Sequence, residues 1–104
     1  MRLSFNLEDI KCLRMEFVQN GETKIINLAL KEKRENKFYA ICPQMDISGI
    51  ELPQKVSFDF VWYDGLYKTT TDLIEIQQEN DEFICFILKN PPSIDYILAS
   101  ITIR

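Results

Sequence analysis

Regular alternation of apolar and polar residues is the clearest pattern in this chain. It is strongest in Lys55–Tyr63, where Val56, Phe58, Phe60 and Trp62 are separated by polar residues for most of the segment. A period of two residues is typical of a strand that buries one face. We therefore predict a β-strand here, with these apolar side chains pointing into a core.

Turn signals divide the rest of the chain into further strands. Asn20-Gly21 predicts a tight hairpin, because both residues tolerate positive φ, and Asp64-Gly65 predicts a second turn. Glu32–Asn36 fits a polar turn, and Pro43–Pro53 fits a longer loop because proline removes backbone donors at both ends. The predicted strands are Lys11–Val18, Glu22–Lys31, Lys37–Cys42, Lys55–Tyr63, Leu66–Ile76 and Glu82–Asn90. The last of these is apolar on both faces, which predicts a central or covered strand.

The end of the chain carries two patterns. Ile94, Ile97, Leu98 and Ile101 follow helical spacing after Ser93, a good N-cap, although the β-branched residues that follow also suit a strand. Since no crossover helices separate the strands, the sheet is predicted to be antiparallel. We predict an all-β chain: one domain, residues 1–104, folded as a small antiparallel six- to seven-stranded (split) β-barrel with a short C-terminal helix or turn.

Composition and charge narrow the partners and the compartment. No apolar run approaches the roughly 20 residues that a membrane helix needs, and the first residues lack the apolar centre of a secretory signal. Cys12, Cys42 and Cys85 are few, odd in number and far apart, which suits a reducing cytoplasm. The net charge of −4 disfavours nucleic acid as a partner. We therefore expect a cytoplasmic domain that binds no membrane.

The residues that usually carry chemistry are scarce. The chain has no histidine, so it lacks the commonest general base and the Ser-His and Cys-His nucleophile pairs. It has no paired cysteines of the zinc-binding type and no glycine-rich phosphate loop. Glu75, Glu79, Asp81 and Glu82 surround one predicted hairpin, which favours a solvated loop over a catalytic carboxylate pair or a calcium site. We expect a protein that is not an enzyme and holds no cofactor or metal.

The aromatic residues admit two interpretations. Phe58, Phe60 and Trp62 share one face of one strand, which favours barrel filling over a base-stacking platform of the OB-fold type. Tyr63 and Tyr67 flank the Asp64-Gly65 turn, where we expect them to be partly exposed. Tyrosine offers a large contact area with a polar tip, so the turn is a candidate interaction surface.

Three stretches carry a family resemblance. They are CPQMDISGIELP (Cys42–Pro53), KVSFDFVWYDGLYKTTTDLIEI (Lys55–Ile76) and FILKNPPSID (Phe86–Asp95). A proline-containing loop precedes an apolar strand, an Asp-Gly-Leu-Tyr turn leads into a threonine-bearing strand, and a later strand ends in a proline-containing segment. Residues Gly21–Ile94, about three-quarters of the chain, thereby resemble the N-terminal β-barrel domain of the YcgR-type flagellar brake proteins, the domain found beside PilZ domains.

The resemblance implies a bacterial interaction module in cyclic di-GMP signalling or motility control, with a PilZ domain or another motility or signalling protein as its partner. We expect contacts through two exposed segments, a turn and a long loop. The candidate interaction residues are Tyr63, Asp64, Gly65 and Tyr67 of the turn and Asp46 and Ile50 of the loop.

The family's nucleotide-binding arginines are largely missing. The segment that matches the arginine-rich PilZ linker, Leu98–Arg104, retains only Arg104, and the second PilZ motif is reduced to Asp46-Ile47-Ser48, with Glu51 at the glycine position. Because one arginine cannot form the bidentate clamp, we expect no nucleotide site. Two alternatives stay open: an atypical PilZ-like cyclic di-GMP receptor that uses Arg104, and an OB-like single-strand nucleic-acid binder.

Overall fold

The computed structural model describes residues 12–62, 65–90 and 95–98, and all regular structure in them is β. The strands are β1 Cys12–Gln19, β2 Glu22–Arg34, β3 Lys37–Pro43, β4 Gln54–Trp62, β5 Gly65–Gln78, β6 Phe83–Lys89 and β7 Asp95–Leu98. The prediction of an all-β chain is confirmed.

The strands form one antiparallel sheet that closes on itself. Their order is β4-β1-β2-β3-β6-β5-β7, and a further β4–β5 pairing closes the first six into a barrel. The β1–β4 pairing joins Arg14 to Asp59, whose side chains also form a two-point ion pair at 2.9 and 3.1 Å. β7 pairs with β5 outside the closed ring. The predicted six- to seven-stranded barrel is confirmed.

Apolar side chains fill the barrel interior. Phe58 and Phe60 of β4 are almost fully buried, as their alternation predicts, and the Phe38 ring packs edge-on against Phe58 with centroids 5.5 Å apart. Each such side chain contributes roughly 1.5–3 kcal/mol through burial. The side chain of Trp62 lies outside the described set. The largest fully buried side chains are Phe17, Phe38, Phe86, Leu13, Met15, Leu28, Leu73, Ile84 and Leu88.

Strand β6 is buried on both faces, which confirms the prediction for this segment. Phe86 belongs to the barrel interior, whereas Cys85 and Ile87 face outward and are still only 3% exposed. Lys31 of β2 and Glu79 beyond β5 form a 2.7 Å ion pair, and both line the same outer groove as Cys85 and Ile87. Long side chains from β2 and from the segment after β5 therefore line the outer face of β6.

Two segments differ from the sequence prediction. β2 runs to Arg34 because the register shifts between Leu30 and Glu32, and the strand continues to pair with β3. The turn is thus only Glu35 and Asn36, shorter than the predicted Glu32–Asn36.

Residues Asp95–Leu98 form strand β7, where the sequence predicted a short helix or turn. They pair with β5 at Leu66–Lys68, on the side of β5 away from β4. The backbone groups of that sheet edge offer hydrogen-bond partners that outweigh the helical spacing of four apolar residues. Ser93, Ile94 and Ile101, which belong to the same prediction, lie outside the described residues.

Candidate functional site

The loop between β3 and β4, residues 44–53, runs across one end of the barrel. Met45 and Ile50 are half-buried and pack against the core. The Gln44 amide donates to the Glu82 carbonyl in the β5–β6 hairpin, and the Asn20 amide donates to the Gly49 carbonyl, each at 2.9 Å. The loop is therefore tied to two neighbouring hairpins.

Two glutamine side chains fix the loop further. The side-chain nitrogen Nε2 of the buried Gln19 donates to the backbone carbonyls of Asp46 and Ser48 at 2.9 and 2.7 Å. Gln54 Oε1 accepts from the Val18 amide at 2.9 Å, and its Nε2 donates to the carbonyls of Val18 and Glu51, both at 3.0 Å. The side-chain amide of Gln54 thus forms with the Val18 backbone the two hydrogen bonds that a residue of a neighbouring strand would form.

Turn chemistry sets the shape of the loop's middle. Asp46 Oδ1 accepts from the Ser48 amide at 2.9 Å and from its hydroxyl at 2.7 Å, an Asx turn. Both hydrogen bonds lower the pKa of Asp46 below its ordinary value, and the bond from the Ser48 backbone amide is the larger cause. Gly49 has a φ of +82° and lies against the Asn20 carboxamide, so a Cβ there would overlap that group. The loop has one well-defined shape.

Exposed apolar side chains gather at this end. Val18 and Ile25 are 46% and 55% exposed, and Ile47 and Leu52 of the loop are also exposed. Val18 and Ile25 are diagonal neighbours on the outer face, because Glu16 pairs with Ile25. Large exposed apolar side chains grouped in one region are typical of interaction sites. We call loop 44–53, the Asn20-Gly21 turn, Val18 and Ile25 the loop-end surface.

One large exposed apolar residue lies elsewhere. Among the described residues, Val61 is the fifth exposed large apolar side chain, at 69%. It lies near the end of β4 remote from Gln54, opposite Leu66. Among the described residues, large exposed apolar side chains are therefore concentrated at the loop end. Val61 is an exposed apolar residue outside that surface and can serve as a control position.

The structure separates the predicted interaction residues. Asp46 is exposed and belongs to the loop-end surface, and Ile50 is in the same loop but turns partly into the core. Gly65 opens β5 opposite Trp62, at the other end of β4. Tyr63 and Asp64 lie outside the described residues, as does Arg104.

Tyr67 corrects one expectation. It is only 7% exposed and stacks on Phe60, with ring centroids 5.7 Å apart and an interplanar angle of 14°. The β4–β5 register pairs it with Phe60, so it shares the inward face despite its closeness to the turn. Tyr67 is a core residue and is not available as an exposed contact.

Sequence reasoning missed the exposed valine and isoleucine of the first hairpin. A signal was present: Phe17-Val18 and Ile25-Ile26 are adjacent apolar pairs within strands of period two. One member of each pair must point outward. With Phe17 buried and Ile26 packed on the core, that member is Val18 in β1 and Ile25 in β2.

A second concave feature lies on the outer face of the barrel. It is a groove of about 290 Å³ whose lining includes Tyr39, Cys85 and Ile87. The Arg34 guanidinium lies 5.5 Å from the centre of the Tyr39 ring. Burial raises the pKa of the Cys85 thiol, which keeps it protonated and weakly nucleophilic at neutral pH.

Within residues 12–62, 65–90 and 95–98, no group of three or more histidine, cysteine, aspartate or glutamate side chains is arranged to hold a metal ion. The same residues include no helix with the length and apolar character to cross a membrane. No family model, curated protein or solved structure matches the chain.

Proposed function

We propose that this chain is a non-enzymatic β-barrel interaction module, similar to the domain that accompanies PilZ domains in the YcgR-type flagellar brake proteins. It acts by protein–protein contact in cyclic di-GMP signalling or motility control in the bacterial cytoplasm. A PilZ domain or another motility or signalling protein is its partner. The observation that supports binding best is the loop-end surface, where four large apolar side chains are exposed.

The rigidity of that surface supports a binding role. Exposed loops that order only on binding lose conformational entropy in the complex, which weakens affinity. Here the hydrogen bonds of Gln19, Gln54 and Asp46 already hold the loop in one conformation. A partner therefore meets a preformed surface, and the apolar contacts contribute to affinity with little ordering cost.

The barrel interior is filled, so we expect recognition to occur on its outer surface. Ligand sites for small molecules are concave spaces of roughly 300–1,000 Å³. The described interior is instead packed with apolar side chains, among them Phe38, Phe58 and Phe86. The interior of the domain is thus scaffold, and its recognition surfaces are loops and outward-facing strand positions.

A differential capture experiment tests the proposal. The immobilised whole chain, the double variant Val18→Ser/Ile25→Ser and the control Val61→Ser are exposed to lysate of the source organism. Wild type and Val61→Ser should retain the same proteins, and the double variant should lose them, because Val18 and Ile25 belong to the loop-end surface and Val61 does not. Equal retention by all three, with each variant folded by circular dichroism, refutes the loop-end assignment.

Calorimetry with cyclic di-GMP tests the absence of a nucleotide site. We expect no heat of binding, because a single arginine cannot form a bidentate clamp on guanine and phosphate. Micromolar binding that disappears in Arg104→Ala would establish the receptor alternative instead. A gel-shift titration with single-stranded oligonucleotides tests the remaining alternative, whose mark is salt-dependent binding.

A further inference from the structure

We infer that the partner of the loop-end surface presents basic side chains around an apolar centre, an inference that rests on the proposed function. Exposed carboxylates lie on the same segments as the apolar residues of this surface and on an adjoining hairpin. Glu22 follows the Asn20-Gly21 turn, and Asp46 and Glu51 belong to the loop. The exposed side chains of Asp81 and Glu82 stand on the adjoining β5–β6 hairpin, which the Gln44 amide ties to the loop.

Few cations balance these carboxylates. Lys24 and Lys55 are exposed lysines of the neighbouring strands, and the Lys55 ammonium lies 3.7 Å from an Asp72 carboxylate that Lys89 also approaches at 3.8 Å. The loop-end surface is thus apolar at its centre and acidic at its margin. Such a surface favours a partner of the opposite sign, since complementary charge steers encounter and like charge suppresses wrong partners.

The opposite end of the barrel differs in charge. Around the Glu35-Asn36 turn lie the exposed side chains of Lys33, Arg34 and Lys37, together with Glu35 and with Glu32, which pairs with Arg34 at 3.0 Å. The described barrel therefore has an acidic excess at the loop end and a small basic excess around this turn. A net charge of −4 for the whole chain conceals this polarity.

The polarity also argues against a second copy as the occupant. A two-fold dimer places the same patch of both subunits face to face. At the loop end that arrangement would bring the Glu22, Asp46 and Glu51 carboxylates of both copies together, which is unfavourable. The occupant that the charges select is a different polypeptide, basic where this chain is acidic.

Nuclear magnetic resonance with a defined probe tests the inference. The ¹⁵N-labelled whole chain is titrated with a synthetic peptide of alternating leucine and lysine, and separately with the same peptide carrying glutamate for lysine. The Leu/Lys peptide should shift amides of residues 18–25 and 44–53 and bind at least about tenfold more tightly than the Leu/Glu peptide. Its affinity should fall as ionic strength rises, because salt screens exposed charges.

Charge variants separate electrostatics from apolar contact. Glu22→Lys/Glu51→Lys should weaken Leu/Lys peptide binding about tenfold, while Glu35→Lys at the opposite end should leave it unchanged. Among the described residues, the side chains of Glu22 and Glu51 form no hydrogen bond or ion pair. The double variant should therefore fold normally. Unfolding curves in urea check this.

Three outcomes overturn the inference. Shifts confined to the Lys33–Lys37 end, equal binding of the two peptides, or no binding of either would show that the surface does not select basic partners. If the Leu/Lys and Leu/Glu peptides bound equally well at residues 18–25 and 44–53, the proposed docking function would remain intact. If the wild-type chain captures no protein that the Val18→Ser/Ile25→Ser variant loses, but still binds the Leu/Lys peptide, the proposed function alone is refuted.

Discussion

The barrel interior and the loop-end surface are held together by different forces. Inside, apolar side chains such as Phe38 and Phe86 are stabilised by burial, which has no preferred direction. At the loop end, Gln19, Gln54 and Asp46 act through individual hydrogen bonds with defined partners. The comparison shows that burial fixes the fold, while a few directional bonds fix the shape of the surface that other molecules meet.

The largest expected effect lies inside the barrel. Phe86→Ala removes a fully buried ring and leaves a cavity, so it should lower the free energy of unfolding by about 3–5 kcal/mol. Phe83→Ala, on the outward face of the same strand and half-buried, should cost clearly less. Urea unfolding measures both. Equal losses would contradict the division between an inner and an outer face of β6.

A glycine pair separates backbone strain from side-chain contact. Gly21 and Gly49 both have positive φ, but a Cβ at Gly21 meets open space whereas one at Gly49 overlaps the Asn20 carboxamide. Each change to alanine should cost about 1–2 kcal/mol through the left-handed backbone conformation. Gly49→Ala should exceed Gly21→Ala in thermal unfolding, and it should shift the amides of loop 44–53. Identical effects would mean that Asn20 does not constrain the loop.

Loss of the Gln54 amide should have a smaller effect. Gln54→Ala removes three hydrogen bonds and should cost about 1–2 kcal/mol, with faster hydrogen exchange at the Val18 amide. Gln77→Ala is the matched control, since Gln77 is exposed and its side chain donates to the nearby Glu75 carboxylate at 2.6 Å. It should stay within about 0.5 kcal/mol of wild type. Protection at Val18 unchanged in Gln54→Ala would exclude the bridging role.

The smallest effect concerns pH. The Asp46 carboxylate accepts two bonds from Ser48, which lowers its pKa in the folded chain. A lowered pKa stabilises the folded state above the pKa that the group has when unfolded, and this stabilisation is lost as pH falls through the folded pKa. The Ser48 amide resonance should therefore titrate below the ordinary range of aspartate, and Asp46→Asn should abolish that titration. A titration at the ordinary aspartate value would contradict the Asx turn.

The barrel could be predicted from the sequence because period-two alternation and turn residues are local signals. Phe58 and Phe60 are buried as the pattern requires, and the Asn20-Gly21 turn joins β1 and β2 as expected. Tyr67 lies close to a turn, which predicts exposure, but its register with Phe60 places it on the inward face.

The loop-end surface was predictable only in outline. The long proline-bounded loop, with Asp46, was visible in the sequence, but its bonds to Gln19 span 27 and 29 positions, and the bond from Gln54 to Val18 spans 36. No local pattern reveals such pairs, because a glutamine side chain has many alternative partners. Val18 and Ile25 were marked by adjacent apolar residues, a signal that needs the strand register to interpret.

Closure of the barrel has a consequence for how the chain acquires its structure. Arg14 and Asp59 meet across 45 positions, and the ring also includes β5 and β6, so closure must await synthesis of the sixth strand. Until then the β1–β2–β3 meander has open backbone edges, the kind that recruit other chains. Such non-local pairing places folding on a scale of roughly milliseconds to seconds, slow for a chain of this size. We therefore expect the nascent chain to be prone to aggregation until its sixth strand completes the ring.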